Sequence, residues 1–269
     1  MRPALVAAAL LLLALGGGFY LWKEGSAPIV SEPLPVATST PSTPAATSTP
    51  PVVSTPTSTP PIVVTPTTTP TNWTEIVWAD RSKKQVVFTF DGGAGSHSID
   101  EIIATLKKHG VTGTFFVTGK WAEQNATSTR RLAAEGHEVF NHTYDHSDLT
   151  TLSSAQITSQ FARAESSISA LTGKTTKPYF RPPYGARNAA VLAAARQAGY
   201  RSVYWTVDAL DWKPGITDQE VRTRILSNLA PGTIYMMHIG DDITGRILDD
   251  MLTEIKARGY AIVPLTKAL

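Results

Sequence analysis

His142 and His146 stand four residues apart in the stretch NHTYDHSD. If that stretch is one turn of helix, both imidazoles face the same side and can share a divalent metal. Asp145, lying between them, is a further candidate ligand or a partner that orients one ring. Asp91 closes an apolar run, where a carboxylate needs a partner or a task as a base. Arg181 precedes Pro182-Pro183-Tyr184-Gly185. Two prolines stiffen the chain there, and the backbone N–H groups that follow are free to receive an oxyanion. Asp208 and Asp211 lead into Trp212, and His238 follows the strand-like run GTIYMM. A carboxylate base, a histidine pair, an imidazole acid and an arginine to hold a carboxylate are the equipment for metal-assisted hydrolysis of an amide or ester.

These groups act together only if the chain brings them to one edge. KQVVFTF, residues 84–90, is a β-rich run that ends at Asp91-Gly92-Gly93. Helical spacing follows over 99–109, with Ile102, Ile103 and Leu106 on one face and Gly110 as the stop. A strand is expected at 111–117, a helix at 120–135, a short extended piece at 137–141 and a long helix after Ser153. Tyr179–Arg181 is extended, 186–198 is helical, and 200–207 has the composition of a strand. Thr217 and Glu220 form a capping box for a helix to 229. A strand at 233–237, a helix at 247–256 and a last strand at 260–263 complete the series. This alternation means a parallel sheet covered by helices, either open or closed into a barrel. Asp91, His142, Arg181, Asp208, Asp211 and His238 all fall at or just past strand C-terminal ends, the edge that carries the chemistry in such folds.

The rest of the chain bounds the setting. It has 269 residues, 24 basic and 22 acidic side chains, and no cysteine. A disulfide scaffold, thiol chemistry and cysteine-ligated metal are excluded. No run of basic residues supports binding to nucleic acid. Residues 4–22 are apolar, about 28 Å as a helix, so 1–26 is expected to be a signal-anchor spanning a membrane or a cleaved signal peptide. Residues 27–72 hold 12 prolines and 19 serines or threonines; such a tract is expected to be a disordered linker. The remaining block, 73–269, is enough for one α/β domain. Both readings of the N-terminus place that domain outside the cytoplasm.

From about Gln85 to Leu265 the chain resembles the NodB-homology polysaccharide deacetylases, the family-4 carbohydrate esterases. Five motifs appear in order: Thr89-Phe90-Asp91-Gly92-Gly93 for T-F-D-D-G, His142 to Ser147 for H-(S/T)-x-x-H-P, Arg181-Pro182-Pro183-Tyr184 for R-x-P-Y, Asp208 to Trp212 for D-x-x-D-W, and Met236-Met237-His238 for L-x-H. The resemblance implies a distorted, incomplete (β/α) barrel, a divalent metal, commonly zinc, and removal of N-acetyl groups from peptidoglycan or chitin-like polymers. It implies Asp91 as base and His238 as acid, with His142 and His146 on the metal and Asp145 in reserve. Tyr184 would complete an oxyanion hole through its backbone N–H. Arg181 would orient Asp91 and be held by Asp211, with Trp212 lining the acetyl-methyl pocket. One position departs from the pattern: Gly92 stands where the family has its metal-binding aspartate, so the usual Asp-His-His set cannot form. The expectation is a hydrolase of N-acetylated cell-surface polysaccharide, with peptidoglycan ahead of chitin and a weakly held metal. The alternative is a catalytically weak or inactive glycan-binding domain on a membrane-tethered stalk. No obligate protein partner is inferred.

Overall fold

The structure, a computed structural model, describes residues 73–269. The expected membrane segment and linker, 1–26 and 27–72, lie outside the described residues. The expectation of a membrane span and of the membrane as a partner is corrected on one finding. Among the described residues no helix is long and apolar enough to cross a membrane.

Eight strands form one sheet, and every pairing in it is parallel. In chain order they are β1 Gln85–Gly92, β2 Thr114–Val117, β3 Glu138–Asn141, β4 Tyr179–Phe180, β5 Arg201–Ser202, β6 Val207–Asp208, β7 Ile234–His238 and β8 Ala261–Ile262. The spatial order is β5-β4-β3-β2-β1-β7-β6, with β8 pairing the start of β1. The helices between them are α1 Ile99–His109, α2 Gly119–Gln124, α3 Ala126–Ala134, α4 Ser154–Thr172, α5 Ala189–Gln197, α6 Asp218–Ser227, α7 Asp242–Ala257 and α8 Leu265–Ala268. This is an α/β fold whose parallel sheet curls into an incomplete barrel, the distorted (β/α) type expected.

The central strand shows how the sequence selects its faces. Every residue of β1 is buried, as a parallel strand covered on both sides requires. Side chains alternate along a strand. Val86, Phe88 and Phe90 therefore join the helix-side core with Ile102, Leu106, Leu248 and Leu252. Val87 joins a second cluster with Phe116, Phe140, Val203 and Ile234. Thr89 and Asp91 follow Val87 on that inner face.

The open edges of the sheet are β5 and β6, and the segment at the start of the domain covers one of them. Ile76 makes a parallel bridge to Val203, donating to Ser202 O at 2.9 Å while its own carbonyl accepts from Tyr204 N at 2.7 Å. Thr206 Oγ1 reaches Val77 O at 2.7 Å. Two expected elements come out divided. The helix at 120–135 breaks at Asn125, whose backbone leaves the helical region and whose side chain bonds Trp121 O at 3.0 Å. The strand at 200–207 is interrupted because the carbonyls of Val203 and Tyr204 serve Arg181.

Candidate active site

The register of β1 decides the centre of the site. Asp91 pairs with His238 across β1 and β7. Asn141 ends β3 beside Phe180, so His142 and Arg181 leave the sheet together. Asp208 closes β6. All stand at the C-terminal edge.

Arg181 is fully buried. Its guanidinium donates to Asp91 Oδ1 at 2.6 Å and Thr89 Oγ1 at 2.8 Å, and to the carbonyls of Val203 at 3.3 Å and Tyr204 at 3.0 Å. Burial pulls its pKa down, and the charge and hydrogen bond of Asp91 oppose the pull. The expected link from Arg181 to Asp211 is corrected here. Asp211 accepts instead from His238, at 2.9 Å from Nδ1 and 2.7 Å from the backbone N–H, and from Thr244. The reason lies in placement: four partners already surround Arg181, and the turn after β6 carries Asp211 toward β7. Burial works against a charged His238, but the Asp211 hydrogen bond and charge, with Asp91 and Asp208 behind, override it and raise the imidazole to about 9. His238 is therefore an imidazolium at neutral pH.

The two histidines of NHTYDH meet, though not through a helix. Thr143 and His146 adopt left-handed backbone, with φ of 68° and 65°, and Asn141 Oδ1 holds the turn by accepting from Thr143 N at 2.8 Å. The rings lie 4.9 Å apart, edge to face. His142 Nδ1 is 2.8 Å from Arg181 O. A carbonyl can only accept, so Nδ1 carries the proton. Burial pushes His142 down to about 4, and Asp91 opposes the shift. Burial also lowers His146. Asp145 is turned elsewhere: its Oδ1 accepts from Ser147 Oγ at 2.6 Å and Gln160 Nε2 at 2.9 Å.

A cleft of about 450 Å³ gathers Asp91, His142, His146, Tyr184, Trp212 and His238. Tyr184 is 72% exposed and Trp212 48%, so two aromatic surfaces stand open at its mouth. Tyr184 has φ of 57°, and its ring packs edge-on against His146 at 4.5 Å. Trp212 Nε1 is 3.3 Å from Asp208 Oδ1, and burial raises the Asp208 carboxyl. A Cβ on Gly185 would come within 2.7 Å of Trp205, so only glycine lets that ring close against the turn. A larger hollow of about 520 Å³ lies against α6 and contains none of these six residues.

Sequence reasoning gave Thr89 no role beyond its place in a motif and passed over Asp241 and Trp205. Thr89 had a signal, a polar residue two places before Asp91 on the same strand face. Asp241 and Trp205, which line the cleft, had none.

The family model for polysaccharide deacetylase matches residues 79–203. The chain is 35% identical over 182 residues to the peptidoglycan-N-acetylmuramic acid deacetylase PdaA of Bacillus subtilis, across 66% of this chain and 68% of that protein. The chain belongs to the polysaccharide deacetylase family. Among solved members it is similar to the Bacillus anthracis protein BA3943, described as a CE4 family pseudoenzyme, at 31% identity and a TM-score of 0.70, covering 73% of this chain and 69% of that one. It is also similar to a mutant of that pseudoenzyme with restored enzymatic activity, at 32% identity and a TM-score of 0.70, covering 73% and 71%.

The family implies a divalent metal, and the donor set can be tested for it. Among the described residues no group of three or more His, Cys, Asp or Glu could hold a metal ion. His142 and His146 supply two nitrogens, and Asp91 gives one oxygen to Arg181. Gly92 has no side chain, and a Cβ there would meet Ile239 Cδ1 at 2.9 Å, Val117 Cγ1 at 3.1 Å and Trp121 Cδ2 at 3.3 Å. The residues present do not fit a resident metal held by three protein ligands.

Proposed function

We infer that this polysaccharide-deacetylase domain binds cell-surface glycan built of N-acetylhexosamine, peptidoglycan or a chitin-like polymer, and that its hydrolytic step is weak or lost. Gly92 carries the reading. It occupies the position of the family's metal-binding aspartate, and the space where a side chain would start is filled by Ile239, Val117 and Trp121. Without a third ligand, two neutral histidines make a poor electrostatic anchor for a dication. The solved BA3943 protein, called a pseudoenzyme of this family, is in keeping with that reading. The cleft with its two open aromatic rings keeps what sugar binding asks for: apolar faces against which a pyranose ring can lie, with polar groups between them. Such a ligand lies outside the cytoplasm, and so would the domain.

A second reading, slow hydrolysis, is favoured by one observation. Both charged pairs of an acid–base mechanism survive, Arg181 with Asp91 and Asp211 with His238. Asp91 Oδ2 could take a proton from water while His238 gives one to the departing amine, with Tyr184 N–H receiving the oxyanion. The test is co-sedimentation of the full-length chain with purified peptidoglycan and with chitin, alongside acetate release with and without added zinc. Sedimentation with glycan and acetate release no faster than in protein-free buffer is the expected result. Steady turnover at ordinary enzyme rates would replace this reading with the hydrolase, and failure to sediment with either polymer would remove it.

A further inference from the structure

Two acceptors of largely buried side chains face each other across the floor of the cleft. Asp91 Oδ2 and His142 Nε2 are 3.8 Å apart, in side chains only 5% and 3% exposed. That distance is too long for a hydrogen bond between them. Asp91 gives its other oxygen to Arg181, and His142 uses Nδ1–H on Arg181 O, which leaves Nε2 of the neutral ring as a lone pair. Neither Asp91 Oδ2 nor His142 Nε2 accepts a hydrogen bond from the described residues, and both residues line the cleft. Neither atom is sealed off from the cleft, so a ligand can reach both. The pair asks for a ligand that brings N–H groups.

The charge around the pair narrows the choice. Arg181 cancels Asp91, and His238 cancels Asp211. Asp208 and Asp241 also line the cleft; burial raises both carboxyls, and among the described residues neither makes an ion pair with Lys or Arg. The cleft is therefore negative, and it repels a carboxylate-bearing sugar while attracting a cation. An acetamido group offers one N–H and a carbonyl oxygen that needs a donor of its own. A free 2-amino group, protonated, offers three N–H donors and the matching charge.

We propose that the cleft selects a de-N-acetylated hexosamine unit, seating its primary ammonium between Asp91 Oδ2 and His142 Nε2. On this assignment the domain reads glycan from which acetyl groups have already been removed, and the reaction that supplies its ligand is an N-deacetylation carried out elsewhere. The proposal rests on the glycan-binding reading and goes beyond it by naming the sugar.

The experiment is calorimetric titration of the full-length chain, in buffer with chelator, against three tetrasaccharides: the glucosamine tetramer, the N-acetylglucosamine tetramer and cellotetraose, whose 2-position carries only hydroxyl. The expected result is tenfold or tighter binding of the glucosamine tetramer over both others, with the preference lost in His142→Phe. That variant leaves the Asp91–Arg181 pair in place, its folding is checked by circular dichroism, and Asp91→Asn serves as a second test of the same pair. A preference that persists in His142→Phe would mean general attraction to an acidic surface and would overturn the assignment. Equal or tighter binding of the N-acetylated tetramer would also overturn it while leaving glycan binding intact. Absence of binding by all three would remove both readings.

Discussion

Asp91 and Gly92 are neighbours in sequence and face opposite layers of the protein, and much of the site's character follows from that single alternation. Asp91 turns inward to Arg181. At Gly92 a side chain would begin among Ile239, Val117 and Trp121. Aspartate placed at 92 should overpack that wall and bury a carboxylate among apolar groups, costing at least ~1–3 kcal/mol in denaturant unfolding. Ile239→Val removes the methyl at 2.9 Å, so the double variant Gly92→Asp/Ile239→Val should recover the overpacking part of that loss and keep the part due to the buried carboxylate. Equal midpoints for the single and double variants would show that the wall yields freely. The imidazoles give a pH profile. His142 is depressed to about 4 from 6.5, so its contribution to stability is whole above 6.5 and lost as pH falls through 4. His238 is raised to about 9 from 6.5, so its contribution is whole below 6.5 and lost as pH rises through 9. Burial also lowers His137 and His146, which steepens the acid side. The melting temperature should therefore be highest near pH 6.5, and Asp211→Asn should move only the alkaline limb to lower pH. An alkaline limb that stays put would detach it from His238. The candidate residues were legible because each motif carries its own chemical oddity: a carboxylate ending an apolar run, a histidine after a strand. Which carboxylate serves which cation was not legible, since Asp91 and Asp211 are both aspartates near a strand end and only the fold assigns Arg181 to one and His238 to the other.

The elements that could be read were those whose signals are local. Ile99, Ile102, Ile103 and Leu106 repeat at helical spacing and Gly110 takes the left-handed cap, with φ of 61°. The Thr217–Glu220 capping box forms as its spacing suggests. The strand from 200 to 207 misled because its β-rich composition says nothing about Arg181, whose guanidinium takes the carbonyls that a continuous ladder would use. Nor does composition announce that the segment around Ile76 joins the sheet, since that pairing spans more than a hundred residues. Ile76 is buried with Val87, Phe116 and Val203. Ile76→Ala should cost ~2–5 kcal/mol in chemical unfolding and loosen the carbonyls that hold Arg181. A change below ~0.5 kcal/mol would place this segment outside the cooperative core.

For the molecule as a whole, a parallel sheet was inferable because strand and helix alternate, and hairpin connections cannot produce that pattern. Its incomplete closure rested on family resemblance alone. The missing third ligand also has a whole-molecule consequence. A metal bound only in the folded state would stabilise it through mass action. Chelator should therefore leave the melting temperature unchanged, and added zinc should not raise it; a rise growing with zinc concentration would show that His142 and His146 hold the ion with ligands from solvent. The first described residues run beside β5, where Ile76 is gripped on both sides by Ser202 and Tyr204. Tension applied along that strand would load both hydrogen bonds together in shear and pass next to Tyr204 O, an acceptor of Arg181. The first segment of the domain and the floor of the cleft thus share Tyr204, whose N–H holds one and whose carbonyl holds the other.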